Sequence, residues 1–250
     1  MSSFRSMIKI SYSNAFLATF FLFACNKENA PDIIKSAGEE VTITRELESF
    51  TELIILDEFD VELVYDSVFK VEVTFGKNLV SKVLTDVNNG ILTLENGNKF
   101  NWVRKMGQRI NVKVHCSNMA QIEMVGDGTL FNKDTFYADR IYFEHAGTND
   151  IDLILKSDWA TFRCSNVGNL TLKGSCGILS GTTEQTSSFD GKNFESIDGY
   201  FFHYSLSPSY IRAKQVYGLN LFSTGDLFYL QEPLRKFEKQ EIGSGRVKRF

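Results

Sequence analysis

Long stretches of the chain alternate apolar and polar residues with a period of two. Residues 70–75 (KVEVTF) and 110–115 (INVKVH) follow this pattern without a break. The alternation directs one set of side chains into a core and the other into solvent, so it predicts half-buried β-strands. Asn89-Gly90 lies between two apolar runs and predicts a tight hairpin. Two stretches, 77–86 and 232–240, have patterns that are also compatible with short helices.

The second half of the chain contains a degenerate repeat with a period of about 19 residues. Similar strand-like stretches begin, at nearly even separations, at Ile122, Ile141, Thr161, Ile178, Ile197 and Val216. Turn-forming sequences follow at Gly126-Asp127-Gly128, at 147–150, at Val167-Gly168-Asn169 and at Thr224-Gly225-Asp226. This period fits one rung of an all-β parallel solenoid, in which each start stacks on the last at about 4.8 Å. The alternative is an antiparallel β-sandwich with evenly spaced hairpins.

The N-terminal residues have the organisation of an export signal. Arg5 and Lys9 form a basic region, and residues 15–24 are almost uniformly apolar. This run is shorter than the roughly 20 residues that a membrane-spanning helix needs. Leu22-Phe23-Ala24-Cys25 resembles the bacterial lipobox, although Phe23 is larger than the usual residue, and the resemblance implies a thioether-linked lipid on Cys25. The alternatives are an ordinary signal peptide with a chance cysteine and a buried N-terminal helix.

These features divide the chain into a signal peptide (1–24), a polar tether (25–40) and a folded domain (41–250). Asn26 is not the Asp associated with inner-membrane retention, and Lys27-Glu28 resembles the short export tag of surface lipoproteins in Bacteroidota. We therefore expect a cell-envelope protein of the outer membrane, with the membrane as its partner through the lipid. The periplasmic and the surface-exposed side both remain open.

Composition changes the picture in two ways. The formal net charge of −4 provides no basic surface for nucleic acid, so we expect no such partner. Apart from Cys25, the chain has three cysteines, Cys116, Cys164 and Cys176, with no spacing typical of a metal site. They are either one disulfide with a free thiol, or small buried residues.

Several segments resemble the putative auto-transporter adhesin, head GIN domain family. The resemblance is carried by 45–53 (RELESFTEL), 59–63 (FDVEL), the corner Gly126-Asp127-Gly128 and 243–247 (GSGRV), and it covers residues 41–247. It implies a right-handed β-solenoid in envelope or secreted proteins, commonly lipid-anchored, with an adhesin-like role. Residues 182–206 depart from the family's glycine-corner pattern.

The polar residues indicate no catalytic motif, so we expect a binding or scaffolding role without chemistry, cofactor or metal. His115, His145 and His203 share no local motif, and His115-Cys116 would point to opposite faces of a strand. The alternative is a carbohydrate-active β-helix enzyme, a polysaccharide lyase or hydrolase, in which turn aspartates form a catalytic face. The candidate residues for that face are Asp127, Asp150, Asp152 and Asp226.

The densest aromatic run of the chain is 200–204 (YFFHY). Strand alternation places Tyr200, Phe202 and Tyr204 on one face, with Phe201 and His203 on the other. An exposed set would form a platform for sugar rings, and surface glycans or envelope proteins are the expected partners. The alternative is that the run only fills the core.

Overall fold

The structure, a computed structural model, describes residues 37–98, 109–148 and 150–250. These residues form β-strands and one short 3-10 helix, Val80–Lys82. The strands are β1 (Glu40–Glu46), β2 (Glu52–Ile55), β3 (Phe59–Tyr65), β4 (Lys70–Gly76), β5 (Val83–Asn88), β6 (Ile91–Asn96), β7 (Ile110–Cys116), β8 (Gln121–Met124), β9 (Thr129–Phe131), β10 (Phe136–His145), β11 (Ile151–Cys164), β12 (Asn169–Gln185), β13 (Ser188–Ser205), β14 (Ser209–Ile211), β15 (Ala213–Leu221), β16 (Leu227–Tyr229), β17 (Lys236–Glu241) and β18 (Val247–Arg249).

Parallel pairing joins these strands into three ladders. The A face consists of β6, β2, β8, the carboxyl-terminal parts of β10 to β13, β15 and β17. The B face consists of β7, β3, β9, the starts of β11 to β13, β14, β16 and β18. The C face consists of the start of β10 and the middle parts of β11 to β13. The fold is a parallel β-solenoid of about 6 turns, which confirms the repeat-based prediction over the sandwich.

The residue-by-residue stacking expected from the six repeat starts is wrong. Ile122 lies opposite Phe143 and Ile141 lies opposite Ala160, so neither pairs with the next predicted start, Ile141 or Thr161. The corners between strands differ in length, and the β12–β13 and β13–β15 pairings each contain a register shift. A change of one residue moves a side chain to the other face, so apolar residues at similar spacing do not mark one column.

An antiparallel unit covers the first rung of the solenoid. Strand β4 pairs antiparallel with β1 and β7, and β5 pairs antiparallel with β6. The β5–β6 turn is the predicted hairpin, because Asn89 and Gly90 both have positive φ, at 52° and 80°. The Arg45 guanidinium of β1 joins the β1–β4 pair to the start of β5 and the 3-10 helix, by donating to the Val83 carbonyl at 2.6 Å and the Val80 carbonyl at 3.2 Å.

One continuous apolar core runs through the rungs, from Phe50 to Val247. Its central part contains three aromatic rings, with centroid distances of 4.4 Å between Phe162 and Phe189 and 5.8 Å between Phe189 and Phe201. Neither of the two stretches compatible with helices forms an α-helix. Residues 77–86 contain the 3-10 helix and the start of β5, and residues 232–240 contain most of β17. Among the described residues, no helix has the length and apolar character needed to cross a membrane.

Candidate functional site

Strand β13 presents the aromatic run on its two sides. Tyr200, Phe202 and Tyr204 lie on the outer surface of the A face, with 39%, 41% and 45% of their area exposed, whereas Phe201 and His203 are fully buried. The run is part of a long pairing in which β12 and β13 stay in register over residues 198–205 of β13. The three exposed side chains therefore point to one side from a rigid strand.

The neighbouring rung completes the aromatic surface. The ring of Phe222 stacks on Tyr204, with centroids 4.6 Å apart and planes 7° apart. Gly218 lies beside the Tyr200 ring, and a β-carbon at this position would be only 2.8 Å from it. The absence of a side chain at Gly218 gives the Tyr200 ring room to lie across the next strand. We call Tyr200, Phe202, Tyr204 and Phe222 the aromatic platform.

A groove of about 260 Å³ runs along this platform. Tyr200 and Phe202 form its aromatic side, and Asn220, Glu238 and Gln240 contribute polar atoms from the two following strands. Ring faces beside amide and carboxylate groups can pack on an apolar ligand surface while they bind its hydroxyl groups. The groove therefore has the chemical character expected of a carbohydrate-binding surface.

Gly218 and Asn220 of β15, and Phe222 directly after it, were missed in the sequence because they lie one rung away from the aromatic run. Leu219 in β15 is paired with Phe201 in β13. Phe222 follows Leu219 by three residues, as Tyr204 follows Phe201, so the same register places Phe222 beside Tyr204. An alignment of the buried positions of the two strands, rather than of their first apolar residues, is the signal that would have found these residues.

His203 anchors the platform strand from the core side. Its Nδ1 lies 2.7 Å from the Thr183 hydroxyl oxygen on the preceding rung. Burial disfavours the charged imidazolium and lowers the pKa of His203 from 6.5 to about 4. At neutral pH the ring is therefore an uncharged part of the core.

This pKa shift predicts a pH-dependent stability. The folded pKa is below the unfolded value, so the unfolded chain takes up a proton first as the pH falls. The stabilisation that the neutral His203 side chain contributes is complete above pH 6.5 and is lost as the pH falls towards about 4. Between pH 7.5 and 4.5 the free energy of unfolding should decrease by on the order of 2 to 3 kcal/mol from this group. Urea denaturation at both pH values, for wild type and His203→Gln, measures it.

The glutamine variant isolates the contribution of His203 because other carboxylates and histidines titrate in both proteins. The difference between the two pH dependences should equal the predicted loss. An equal dependence in wild type and His203→Gln would contradict the lowered pKa of His203.

The three cysteines of the described residues are free and buried. Burial raises the pKa of Cys116 and of Cys176 to about 12, and also raises that of Cys164, so these thiols are protonated at neutral pH. Of the two alternatives for these residues, the structure has the small buried side chains. They are not disulfide-bonded.

His115 is directed towards carboxylates and not towards its neighbour Cys116. Its Nδ1 lies 3.1 Å from an Asp66 carboxylate oxygen, and its Nε2 lies 3.5 Å from one of Glu72. The hydrogen bond from His115 lowers the pKa of Asp66. This arrangement does not form the histidine–cysteine pair that a cysteine hydrolase requires.

The four aspartates expected in turns bind groups on neighbouring rungs, and Asp152 lies in β11 and not in a turn. Asp127 accepts a hydrogen bond from the Thr148 hydroxyl at 2.7 Å, and Asp150 accepts one from the Asn169 amide at 2.8 Å. Asp152 forms an ion pair with Lys173, and Asp226 forms one with Lys248. The hydrogen bond from Lys248 is the main cause of the lowered pKa of Asp226. All four carboxylates thus connect successive rungs.

Over 37–98, 109–148 and 150–250, no cluster of three or more histidine, cysteine, aspartate or glutamate side chains has a geometry suited to a metal ion. The proposed lipid attachment residue, Cys25, and the segments 1–24 and 25–36 lie outside the described residues.

Comparisons with known proteins agree with this architecture. Residues 49–233 match the family described as "Putative auto-transporter adhesin, head GIN domain". A putative adhesin from Bacteroides fragilis has a crystal structure similar to this chain, with a TM-score of 0.73, 14% identity and coverage of 85% of this chain and 97% of that chain. A comparison with curated proteins found no match.

Two crystal structures from Parabacteroides distasonis are also similar, each with a TM-score of 0.64 and 16% identity. One is a putative adhesin, with coverage of 85% of this chain and 98% of that chain. The other is a putative lipid binding protein, with coverage of 85% and 97%. At these identities the similarity shows a shared fold.

Proposed function

Because the chain belongs to the putative auto-transporter adhesin, head GIN domain family, we propose that it is an adhesin-like protein of the cell envelope that binds glycans without chemistry. The observation that carries this proposal is the aromatic platform on the A face. Three large rings of one strand are exposed there, and a fourth ring, that of Phe222 directly after β15, stacks on Tyr204. Exposed apolar surface of this kind marks an interaction site in soluble domains.

The chemistry of the platform favours sugars over other envelope ligands. A pyranose ring has an apolar C–H face that packs on an aromatic ring, and its hydroxyl groups need polar partners at the edge. Asn220, Gln240 and Glu238 supply such partners in the same groove. Envelope proteins are the other class of partner, and a protein ligand would be an outcome of the same binding test.

The polar residues of the described body support a binding role rather than catalysis. A glycosidase or lyase needs carboxylates that are free to exchange protons with the substrate. The aspartates that were candidates for such a face, Asp127, Asp150, Asp152 and Asp226, bind hydroxyl, amide and ammonium groups of adjacent rungs. These contacts stabilise the stacking of adjacent rungs.

The platform predicts weak and side-specific glycan binding. A single site of this size should bind oligosaccharides with a dissociation constant of about 1 mM, and many copies on one membrane would supply avidity. Tyr200→Ala should weaken binding on a glycan array about fivefold, because stacking on one ring contributes on the order of 1 kcal/mol. Tyr137→Ala is the matched control, since Tyr137 is also an exposed tyrosine but lies on the C face.

Binding that is weakened equally by the two tyrosine variants would contradict a site on the A face. If the wild-type protein, displayed at high density, binds no glycan on the array, the platform is not a carbohydrate site.

The envelope location depends on the lipid proposed for Cys25. The apolar run that ends in Leu22-Phe23-Ala24 directly precedes this cysteine. In a bacterial host, Cys25→Ser should abolish labelling by a radioactive or clickable fatty acid and move the protein from the membrane to the soluble fraction. Cys116→Ser is the control, since it removes a cysteine that is buried in the fold.

Fatty-acid labelling that persists in Cys25→Ser would contradict lipidation at this residue.

Protease accessibility on intact cells distinguishes the surface-exposed from the periplasmic side of the membrane, because only a surface-exposed protein is degraded.

A further inference from the structure

A second groove, of about 230 Å³, lies on the A face towards the N-terminal end of the solenoid. Arg140 and Tyr142 of β10 line it, together with Trp159 and Thr161 of the adjacent strand β11. Ala120 also lines the groove, and Ile141 contributes to its floor while its side chain is buried in the core. The groove therefore combines one cation, two hydroxyl groups and an apolar surface.

The cation in this groove differs from those elsewhere on the solenoid. Many lysine and arginine side chains pair with a carboxylate on an adjacent rung, as Arg163 does with Glu184 at 3.1 Å. The residue paired with Arg140 on the next rung is Trp159, and the guanidinium lies over the indole at 5.3 Å from the ring centroid. None of the described carboxylates forms an ion pair with Arg140.

Stacking on an indole orients a guanidinium without using its hydrogen-bond donors. The N–H groups lie in the plane of the guanidinium, so the ring contact leaves them available to a ligand. Two parallel N–H groups match the two oxygens of a carboxylate. Arg140 is exposed, so a ligand can reach it. The unpaired charge therefore favours an anionic ligand of planar, bidentate geometry.

We infer that this groove binds the carboxylate of an acidic sugar, a uronic acid, with Arg140 as the anion-binding residue and Trp159 as its positioning residue. Thr161 contributes a hydroxyl group to the same groove as a partner for the hydroxyl groups of a sugar. Burial and a hydrogen bond to Glu144 raise the pKa of Tyr142 to about 12, so this side chain remains neutral and does not repel an anion.

The groove shares a face with the aromatic platform. Tyr142, Thr161, Ser180 and Tyr200 occupy equivalent positions on four consecutive rungs, which are paired in register. At the spacing of parallel strands this row is roughly 14 Å long. An acidic oligosaccharide that crosses the rungs can therefore contact both sites, although the carboxylate site does not depend on the platform.

The test is a calorimetric or NMR titration of the purified full-length protein with a tetragalacturonate and with its methyl ester. Arg140→Gln should weaken tetragalacturonate binding at least about tenfold, because it removes the charge-assisted hydrogen bonds to the carboxylate. Arg140→Lys should weaken binding less, because it keeps the charge and loses only the bidentate geometry. Arg163→Gln is the matched control on the same face, since Arg163 already pairs with Glu184. Its effect should be less than about twofold.

The ligand series separates charge from sugar. The methyl ester should bind wild type about as weakly as tetragalacturonate binds Arg140→Gln, and raised salt should weaken only the charged ligand. Equal binding of acid and ester, or equal effects of Arg140→Gln and Arg163→Gln, would overturn the proposal. A tetraglutamate peptide that binds as well as the sugar acid would overturn the sugar assignment.

The two proposed sites fail separately. Tyr200→Ala should weaken the binding of neutral oligosaccharides, whereas Arg140→Gln should weaken only the binding of the acidic one. If no neutral glycan binds on the array, the titration with tetragalacturonate still tests the carboxylate site. If Arg140→Gln does not weaken tetragalacturonate binding, the platform proposal is unaffected.

Discussion

Ile141→Asp should lower the free energy of unfolding by about 4 kcal/mol or more, enough to unfold a domain of ordinary stability. Ile141 is 3% exposed, and its partner on the next rung is Ala160. An aspartate there would place a charge in an apolar core with no cation at the paired position on the next rung. Neither ionisation nor protonation of the new carboxyl restores the lost apolar contacts, so the substitution is destabilising in both states.

Ile197→Asp is the matched control for this substitution. Ile197 is 47% exposed and lies at the register shift between β13 and β15, so its replacement should cost less than about 1 kcal/mol. Urea denaturation followed by far-ultraviolet circular dichroism compares the two purified variants. Equal destabilisation would show that Ile197 also belongs to the core and would contradict the register of β13.

The two isoleucines also show how far the sequence predicts the fold. Both were expected to begin a rung, and the repeat in which they take part correctly predicts a parallel solenoid. The periodicity reports the mean length of a rung, which is set by the need to return to the same core. It does not report the register shift between Thr171 and Lys173 in the β12–β13 pairing, after which Ile178 lies opposite Asp198 and not opposite Ile197. Single-residue bulges leave no signal in a degenerate repeat whose rungs already vary in length.

The candidate site was also predictable only in part, because local patterns do not report the register between rungs. Alternation within 200–204 correctly separates two sets of side chains, since it depends only on the strand itself. Which set faces solvent depends on the pairing of β13 with β12 and β15, and this information is spread over strands that are one full rung away in the sequence. The stack of Phe222 on Tyr204 and the contact of Arg140 with Trp159 arise between rungs, so neither appears in the local pattern.

The second large effect is expected at Phe201. Phe201→Ala should reduce the free energy of unfolding by about 3 to 5 kcal/mol, the cost of removing a buried aromatic ring and leaving a cavity. The Phe201 ring is fully buried, with its centroid 5.7 Å from that of Phe162 and 5.8 Å from that of Phe189. Phe162 belongs to β11 and Phe189 to β13, the strand of Phe201 itself, so the cavity would affect the packing between rungs and across one rung.

Phe202→Ala provides an adjacent control with the same change in volume. Phe202 lies on the outer surface, so its loss should cost less than about 1 kcal/mol in urea denaturation while it weakens glycan binding on the array. Phe201→Ala should show the opposite pattern, with lower stability and unchanged binding under conditions in which the variant is folded. If the two alanine variants lose equal stability, the two faces of β13 are not distinct and the aromatic run is core throughout. Separate effects on stability and on binding would show that one strand supports the core with one set of rings and the platform with the other.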